Sequence, residues 1–290
     1  MERPGETVFD ENAIMEAGFD RNVWTVGAIY AALLGLGVAC YAAIGVRLLR
    51  RPLDWAARSV RLRQRPWSLF DGGAIAVILL NLQLLVLVLH GLLGDVVPFF
   101  WLVVDSVAFH VAGIGLVVLF LRVRRVAWSD AFGLQAAGLG RRIAQGVGFY
   151  LAVLPLLFVS ALFYQALLAY LKYPTSLQDI AFVIEESETV GRQVYIFFVA
   201  VLVAPFFEEL LFRGIGLPLL ARKLGAGPAI FLVSAAFAAI HFHVPSLVPL
   251  FVLSVAFCLA YLYTGSILVP IVMHGTFNGV NLAMLMLMKN

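Results

Sequence analysis

Three short groups of polar residues interrupt apolar sequence near the end of the 290-residue chain. Ionisable side chains are costly in an apolar environment, so each is a functional hypothesis by default: a general base, a metal ligand or an ion relay. We expect the three groups to form one polar site. They read Glu208-Glu209-Leu-Leu-Phe-Arg213, Phe237-Ala-Ala-Ile-His241 and His274-Gly-Thr-Phe-Asn278.

Helix geometry separates the two adjacent glutamates. At about 100° per residue, Arg213 lies about 40° from Glu209 but about 140° from Glu208 around a helix. Glu209 and Arg213 are therefore predicted to form an i,i+4 ion pair on one face. Glu208 projects in another direction and is free to meet groups from other helices. A purely structural ion pair would explain Glu209 and Arg213 but not Glu208.

The last polar group combines an imidazole with a carboxamide. His274 and Asn278 are four residues apart, which places them on one face of a helix. Gly275 and Gly279 in the same turns form a small-xxx-small pair, which predicts close approach of another helix. Counted at about 1.5 Å per residue from the nearest predicted helix ends, at Arg222, Pro228 and Ser266, the three polar groups lie roughly 12–21 Å along their helices. They can therefore share one cavity.

The composition identifies the elements that must position these residues. Hydrophobic residues make up 62% of the chain and charged residues 13%, and the mean hydropathy is +0.98. In soluble domains, hydrophobic residues average about 45–50% of the chain and charged residues about 25%. These values exclude a soluble globule, a disordered chain, collagen, a coiled coil and a disulfide scaffold. They predict an all-α, polytopic transmembrane helical bundle.

Segments long enough to cross about 30 Å of hydrocarbon give about eight spans. Pro155 is predicted to kink the fourth span. From Leu224 to Met288 the sequence contains no Asp, Glu, Lys or Arg. Breaks at residues 243–249 and 264–266 divide this stretch into three spans. The first five predicted spans are residues 22–46, 72–93, 96–121, 143–171 and 193–220.

The basic residues predict the orientation of the spans. Fifteen of the 20 Lys and Arg lie in three alternate loops, residues 47–65, 122–142 and 213–223. Cytoplasmic loops carry an excess of positive charge, so these loops are predicted to be cytoplasmic and both termini extracytoplasmic, in the cell membrane. We interpret the basic loops as topology determinants that rest on anionic lipid rather than as binding sites. One opposite loop is acidic, with Asp179, Glu185, Glu186 and Glu188.

Four further ionisable residues within or beside the spans belong to none of the three groups. His90, His110 and His243 are interpreted as structural residues. Asp105 interrupts the third span, and a buried carboxylate needs a partner that the sequence does not identify. Either a charge-paired structural role or a role in a substrate cavity would account for it.

The three groups resemble the motifs of the CPBP intramembrane endopeptidases, which include the type II CAAX prenyl endopeptidases and the bacterial Abi proteins. The family pattern EExxxR, FxxxH and HxxxN is matched in order at every motif position, over about residues 196–290. With this resemblance, residues 1–21 are predicted to be an extracytoplasmic tail. Residues 22–190 are predicted to be transmembrane helices with basic loops, and residues 191–290 a CPBP-like catalytic core.

The resemblance implies hydrolysis of a peptide bond in a membrane-embedded or lipid-anchored peptide or protein by glutamate-activated water, without a cofactor. Such hydrolysis needs a base within reach of water and donors aimed at the developing oxyanion. The implied roles are general base for Glu208, positioning of the water for His241, oxyanion donors for His274 and Asn278, and a supporting pair for Glu209 and Arg213.

Three other functions use the same residues. Glu208, His241 and His274 would supply a His₂Glu zinc set with an open fourth position, although the chain has no His-Glu-x-x-His signature. A transporter or channel would use them as ion relays, but no inverted repeat is visible. A non-catalytic scaffold or immunity protein would retain the fold without using these residues for catalysis. No feature indicates binding of nucleic acid.

Overall fold

A computed structural model describes residues 11–93, 98–173 and 189–289, and every regular element in these ranges is helical. The predicted all-α bundle is confirmed, whereas the predicted acidic loop falls at residues 179–188, outside the described residues. The first helix begins at Glu11, inside the predicted tail, and its apolar part begins at Asn22 as predicted. The α-helices are α1 (Glu11–Arg50), α2 (Trp55–Arg63), α3 (Leu69–Leu93), α4 (Pro98–Asp105), α5 (Ala112–Arg124), α6 (Trp128–Phe132), α7 (Leu139–Tyr170), α8 (Val190–Phe198), α9 (Ala204–Glu209), α10 (Leu217–Leu224), α11 (Ala226–Ala239), α12 (Leu247–Thr264) and α13 (Leu268–Lys289).

Seven helices in the described part of the chain are long and apolar enough to cross a membrane. The sixth predicted span is the short helix α11, whose 14 residues extend only about 21 Å. A full crossing takes about 30 Å. The apolar sequence continues past Ala239, but Phe242 adopts a left-handed backbone conformation with φ of 47°, which is incompatible with a continuing helix. The bundle is therefore a multi-pass membrane protein with seven long helices and one short one.

The three basic loops lie at one end of the bundle. Arg222 donates a hydrogen bond to the carbonyl oxygen of Arg63 at 2.7 Å, which joins the third loop to the first. Arg65 donates to the carbonyl oxygens of Ser129 at 3.2 Å and Asp130 at 2.9 Å, which joins the first loop to the second. The prediction that these loops share a side is confirmed, and we call this side the basic face. Its assignment to the cytoplasm stays a prediction.

Cysteine labelling tests the orientation. In a background with Cys40 and Cys258 replaced by alanine, Arg58→Cys and Gln135→Cys are expected to be shielded from an impermeant thiol reagent in intact cells. Glu185→Cys is expected to react, because it lies on the opposite side in the predicted topology. All three should react after permeabilisation, and labelling of Arg58→Cys in intact cells would reverse the assignment.

The long helix α7 packs against α1 at Pro155, the proline that was predicted to kink this span. Pro155 has no backbone N–H, so the carbonyl oxygen of Leu151 one turn earlier loses its helical donor. Gly37 of α1 packs against this point: a Cβ atom at Gly37 would lie 2.5 Å from the Leu151 oxygen. A glycine is therefore required for the two helices to approach this closely.

The helices of the carboxyl-terminal third form the centre of the bundle. Within an 18-residue apolar stretch of the span Val244–Thr264, 44% is buried, compared with 6% in the corresponding stretch of Asn22–Arg50. Phe207, Phe237 and Phe257 are fully buried there. Because the polar motifs lie on these central helices, their side chains are surrounded by packed apolar residues.

Three π-helical turns interrupt the spans: Ser106–Val111 between α4 and α5, Val199–Val203 between α8 and α9, and Leu210–Gly216 between α9 and α10. Such turns widen the helix and are frequent at functional sites. Two of them enclose the six residues of α9, which carry both adjacent glutamates.

The structure identifies a partner for Asp105. The side-chain amide of Gln83 in α3 donates to Asp105 Oδ1 at 3.1 Å. This hydrogen bond joins two neighbouring spans through a neutral amide rather than an opposite charge, so the choice between a structural role and a role in a substrate cavity stays open to test.

Candidate active site

The Glu209 carboxylate lies at the centre of a fully buried polar network. Arg213 Nη1 donates to Glu209 Oε1 at 2.9 Å, and both side chains are 0% exposed. The ion pair predicted from helix geometry is thus present. His274 Nδ1 donates to the same oxygen, also at 2.9 Å. Arg213 Nη2 donates to Ser254 Oγ at 2.5 Å. Arg213 is therefore part of the site rather than of the basic loop in which the sequence analysis counted it.

Aromatic rings fix the orientation of this network. The Arg213 guanidinium lies 4.5 Å from the ring centre of Phe237 and 5.0 Å from that of Phe257. The His274 ring is stacked on Phe257, with centroids 5.1 Å apart. Phe237 is the first residue of the Phe-x-x-x-His motif, and its contact with Arg213 gives a physical reason for an aromatic residue there.

Glu208 points away from Arg213, as the helix geometry predicts. Its side chain is 14% exposed, and its Oε2 lies 4.0 Å from His274 Nε2. That oxygen is buried without a hydrogen-bond partner among the described residues. His274 therefore bridges the two glutamates, with Nδ1 on Glu209 and Nε2 facing Glu208.

His241 follows the end of α11, in a turn rather than inside a span. Its Nδ1 lies 2.7 Å from the carbonyl oxygen of Phe237. A carbonyl can only accept, so Nδ1 carries the proton and Nε2 has a lone pair when the ring is neutral. The ring is close enough to Glu208 for electrostatic interaction, but the two form no ion pair among the described residues. Its role in positioning water beside Glu208 stays a prediction.

Asn278 is held by the π-helical turn before α9. Its side-chain Nδ2 donates to the carbonyl oxygen of Ala200 at 2.8 Å. The small residues predicted to permit close packing do so at the same turn, since a Cβ atom at Gly275 would lie 2.6 Å from the Val201 carbonyl oxygen. This close approach places Asn278 and His274 beside the helix that carries the glutamates.

His110 was missed as a site residue. It matches none of the three motifs and was interpreted as structural, but its Nε2 lies 3.8 Å from Glu208 Oε1, and its side chain is only 17% exposed. The π-helical turn Ser106–Val111 presents it to Glu208 from a span that carries none of the motifs. The signal available in the sequence was a histidine within an apolar span, which is a functional hypothesis by default.

The site does not gather metal ligands in this arrangement. Among the described residues, no three His, Cys, Asp or Glu side chains are grouped to hold a metal ion. Independence from metal stays a prediction, which chelation tests below.

The described part of the chain contains an apolar groove of about 730 Å³. It lies between the turn Val199–Val203 and α13, and its lining includes Phe206, Gly275 and Gly279. Gly275 and Gly279 follow His274 and Asn278 directly in the sequence, so the groove is lined by the same helix that carries these two polar side chains.

Residues 190–280 match the family model of the type II CAAX prenyl endopeptidases, Rce1-like. We call this matched segment the Rce1-like domain. The match confirms the resemblance to the CPBP endopeptidases and includes all six predicted site residues. His110 lies outside the Rce1-like domain. No curated protein and no solved structure matches the chain. With the seven long apolar helices of the described residues, the match indicates a multi-pass membrane protein that carries a CAAX-protease-like segment.

Proposed function

We propose that the Rce1-like domain is an intramembrane endopeptidase in which Glu208 activates water. One observation carries this proposal: of the two adjacent carboxylates, only Glu208 combines accessibility with a lack of a balancing cation in contact. Its side chain is 14% exposed, whereas Glu209 is 0% exposed and paired with Arg213. A general base must be reachable by water and able to accept a proton, and the partial exposure of the Glu208 side chain supports this role for Glu208 over Glu209.

The reaction proceeds in two steps. Glu208 takes a proton from water while the water oxygen bonds to the scissile carbonyl carbon, which becomes a tetrahedral oxyanion. The carbon–nitrogen bond then breaks, and the protonated Glu208 returns its proton to the leaving amine. The products are a carboxylic acid and an amine, and the Glu208 carboxylate is restored. His241, whose Nε2 is not used by the protein backbone, is suited to orient the water.

His274 and Asn278 are proposed to stabilise the oxyanion. Because His274 donates its Nδ1 proton to Glu209, its Nε2 can donate to an oxyanion only when the ring is an imidazolium. Asn278 keeps one amide N–H beyond the bond to Ala200. Two donors are consistent with the usual design of an oxyanion site.

The apolar groove is proposed to receive the membrane-buried part of the substrate. Its walls are almost entirely apolar, and it is lined by α13, the helix that carries the two proposed oxyanion donors. A membrane-embedded or lipid-anchored peptide would reach Glu208 from the bilayer through this groove.

His110 is proposed to position Glu208. Replacing it with asparagine is expected to lower kcat roughly 10-fold, because misplacement of a reacting group is costly. KM and the thermal midpoint should change little. His90 provides a matched control, since it stacks on Trp101 at 4.4 Å in a neighbouring span. A His90→Asn variant with the same loss of kcat would contradict a specific role for His110.

Peptide cleavage by the purified protein tests the proposed function and its metal requirement together. The protein is expected to cleave membrane peptides and to retain activity after exhaustive dialysis against a chelator, because Glu208 acts directly on water. Activity that disappears on chelation and returns only with zinc would favour the Glu208, His241 and His274 zinc set. Absence of cleavage under all conditions would favour a transporter or a scaffold.

A further inference from the structure

The basic face contains a second cavity, of about 470 Å³. It lies between α2, the start of α7 and the end of α12, and we call it the basic pocket. It is distinct from the Glu208 site. Tyr261 lines the basic pocket, whereas Ser254, seven residues earlier on α12, contacts Arg213 of that site. Seven residues span about 10 Å along a helix. The side chains that define it are Arg58, Arg61, Arg65, Arg142 and Tyr261.

Positive charge in the basic pocket is not balanced by the protein. The lining includes four arginines and, among the described residues, one acidic residue, Asp130. No described carboxylate forms an ion pair with Arg58, Arg61 or Arg142. Guanidinium groups around one cavity repel each other, and an anion between them removes that repulsion.

Three of the four arginines are held in place before any ligand binds. The Arg58 guanidinium lies 4.8 Å from the ring centre of Tyr263. Arg142 donates to the carbonyl oxygen of Gln135 at 2.9 Å and to its side-chain oxygen at 3.2 Å. Arg65 is fixed by backbone carbonyls, including that of Gly265 at 2.6 Å. Arg142 still has three N–H donors after its two bonds, and Arg61 has all five.

We propose that the basic pocket binds a phosphate group at the membrane surface. Planar guanidinium groups match the oxygens of phosphate in pairs, which favours phosphate over smaller anions. The pocket lies where the spans Leu139–Tyr170 and Val244–Thr264 reach the basic face, at the level of lipid headgroups. Basic pockets between spans at this level bind anionic headgroups. This proposal does not rest on the proposed proteolysis, and it assigns a specific site within loops first interpreted as general topology determinants.

Binding is measured with the full-length protein in an uncharged detergent. The thermal midpoint is measured at increasing concentrations of dioctanoyl phosphatidylglycerol. Dioctanoyl phosphatidylcholine and glycerol phosphate are tested in parallel. The pocket variant is Arg61→Gln with Arg142→Gln. The control is Arg122→Gln with Arg141→Gln, which removes the same charge from exposed positions on the same face and outside the lining. Arg61→Glu alone is added because this exposed side chain makes no described contact, so the fold should survive.

The pocket variant and Arg61→Glu are each expected to weaken binding of phosphatidylglycerol at least ~10-fold, while the control stays within about twofold of the unaltered protein. Stabilisation by phosphatidylglycerol alone would identify a lipid headgroup as the source of the phosphate. Stabilisation by glycerol phosphate as well would identify a soluble phosphate ester as sufficient. Equal weakening in the pocket and control variants, or equal binding of phosphatidylcholine by the unaltered protein, would overturn the proposal.

Discussion

Glu208→Gln is expected to lower the turnover rate of peptide hydrolysis by at least ~10²-fold, the lower range for loss of a general base. Glutamine keeps the shape and the hydrogen-bonding oxygen of the side chain but cannot take a proton from water. The thermal midpoint should change little, because Glu208 forms no close ion pair: His110 and His274 lie 3.8 and 4.0 Å away.

The measurement compares turnover at saturating substrate with thermal melting of the same preparation. A catalytic role predicts a large fall in kcat with an unchanged melting curve. Glu209→Gln is the matched control, since it makes the same chemical change one residue away in a different environment. Equal losses of activity in both variants, with no difference in stability, would contradict the separation of roles and would require the two carboxylates to act together.

Much of the fold was predictable because it depends on local composition. The spans follow from uncharged length, and the shared basic face follows from the distribution of arginine. The Glu209–Arg213 pair was predictable because both residues lie one turn apart on one helix, so angle alone decides it. The close approach at Gly275 was predictable as well, although its partner Val201 was not, since a small-residue motif carries no information about which helix approaches.

The features that were missed depend on contacts between distant parts of the chain or on backbone irregularity. His110 meets Glu208 across almost 100 residues, through a π-helical turn that no residue pattern announces. The hydropathy around His241 is continuous, so the end of α11 at Ala239 depends on the local backbone rather than on polarity. The double contact of His274 with both glutamates requires the packing of α13 against α9, which only the assembled bundle defines.

Glu209→Gln is expected to lower the free energy of unfolding by about 3–5 kcal/mol, the usual cost of breaking a buried ion pair by removing one partner. The Arg213 side chain is 0% exposed, so it cannot turn to water when its counter-charge is lost. His274 also loses its anionic acceptor. This variant should therefore express poorly or melt early, and it should lose activity for structural reasons. Thermal melting and expression level measure the effect.

Removal of the second charge should partly reverse that loss. Glu209→Gln combined with Arg213→Gln leaves no unpaired cation, so it should melt above the Glu209→Gln variant. The rescue should be incomplete, because glutamine is shorter than arginine and leaves space between Phe237 and Phe257 while losing the bonds to Ser254.

Arg213→Met in the same background fills more of that space with an apolar side chain, and a buried ion pair replaced by apolar residues is often no less stable. The expected order of melting is thus Glu209→Gln lowest, the double glutamine variant higher and the glutamine–methionine variant highest. If both double variants melt below Glu209→Gln, Arg213 stabilises the bundle through packing rather than charge. The role of Glu209 as its counter-ion would then be wrong.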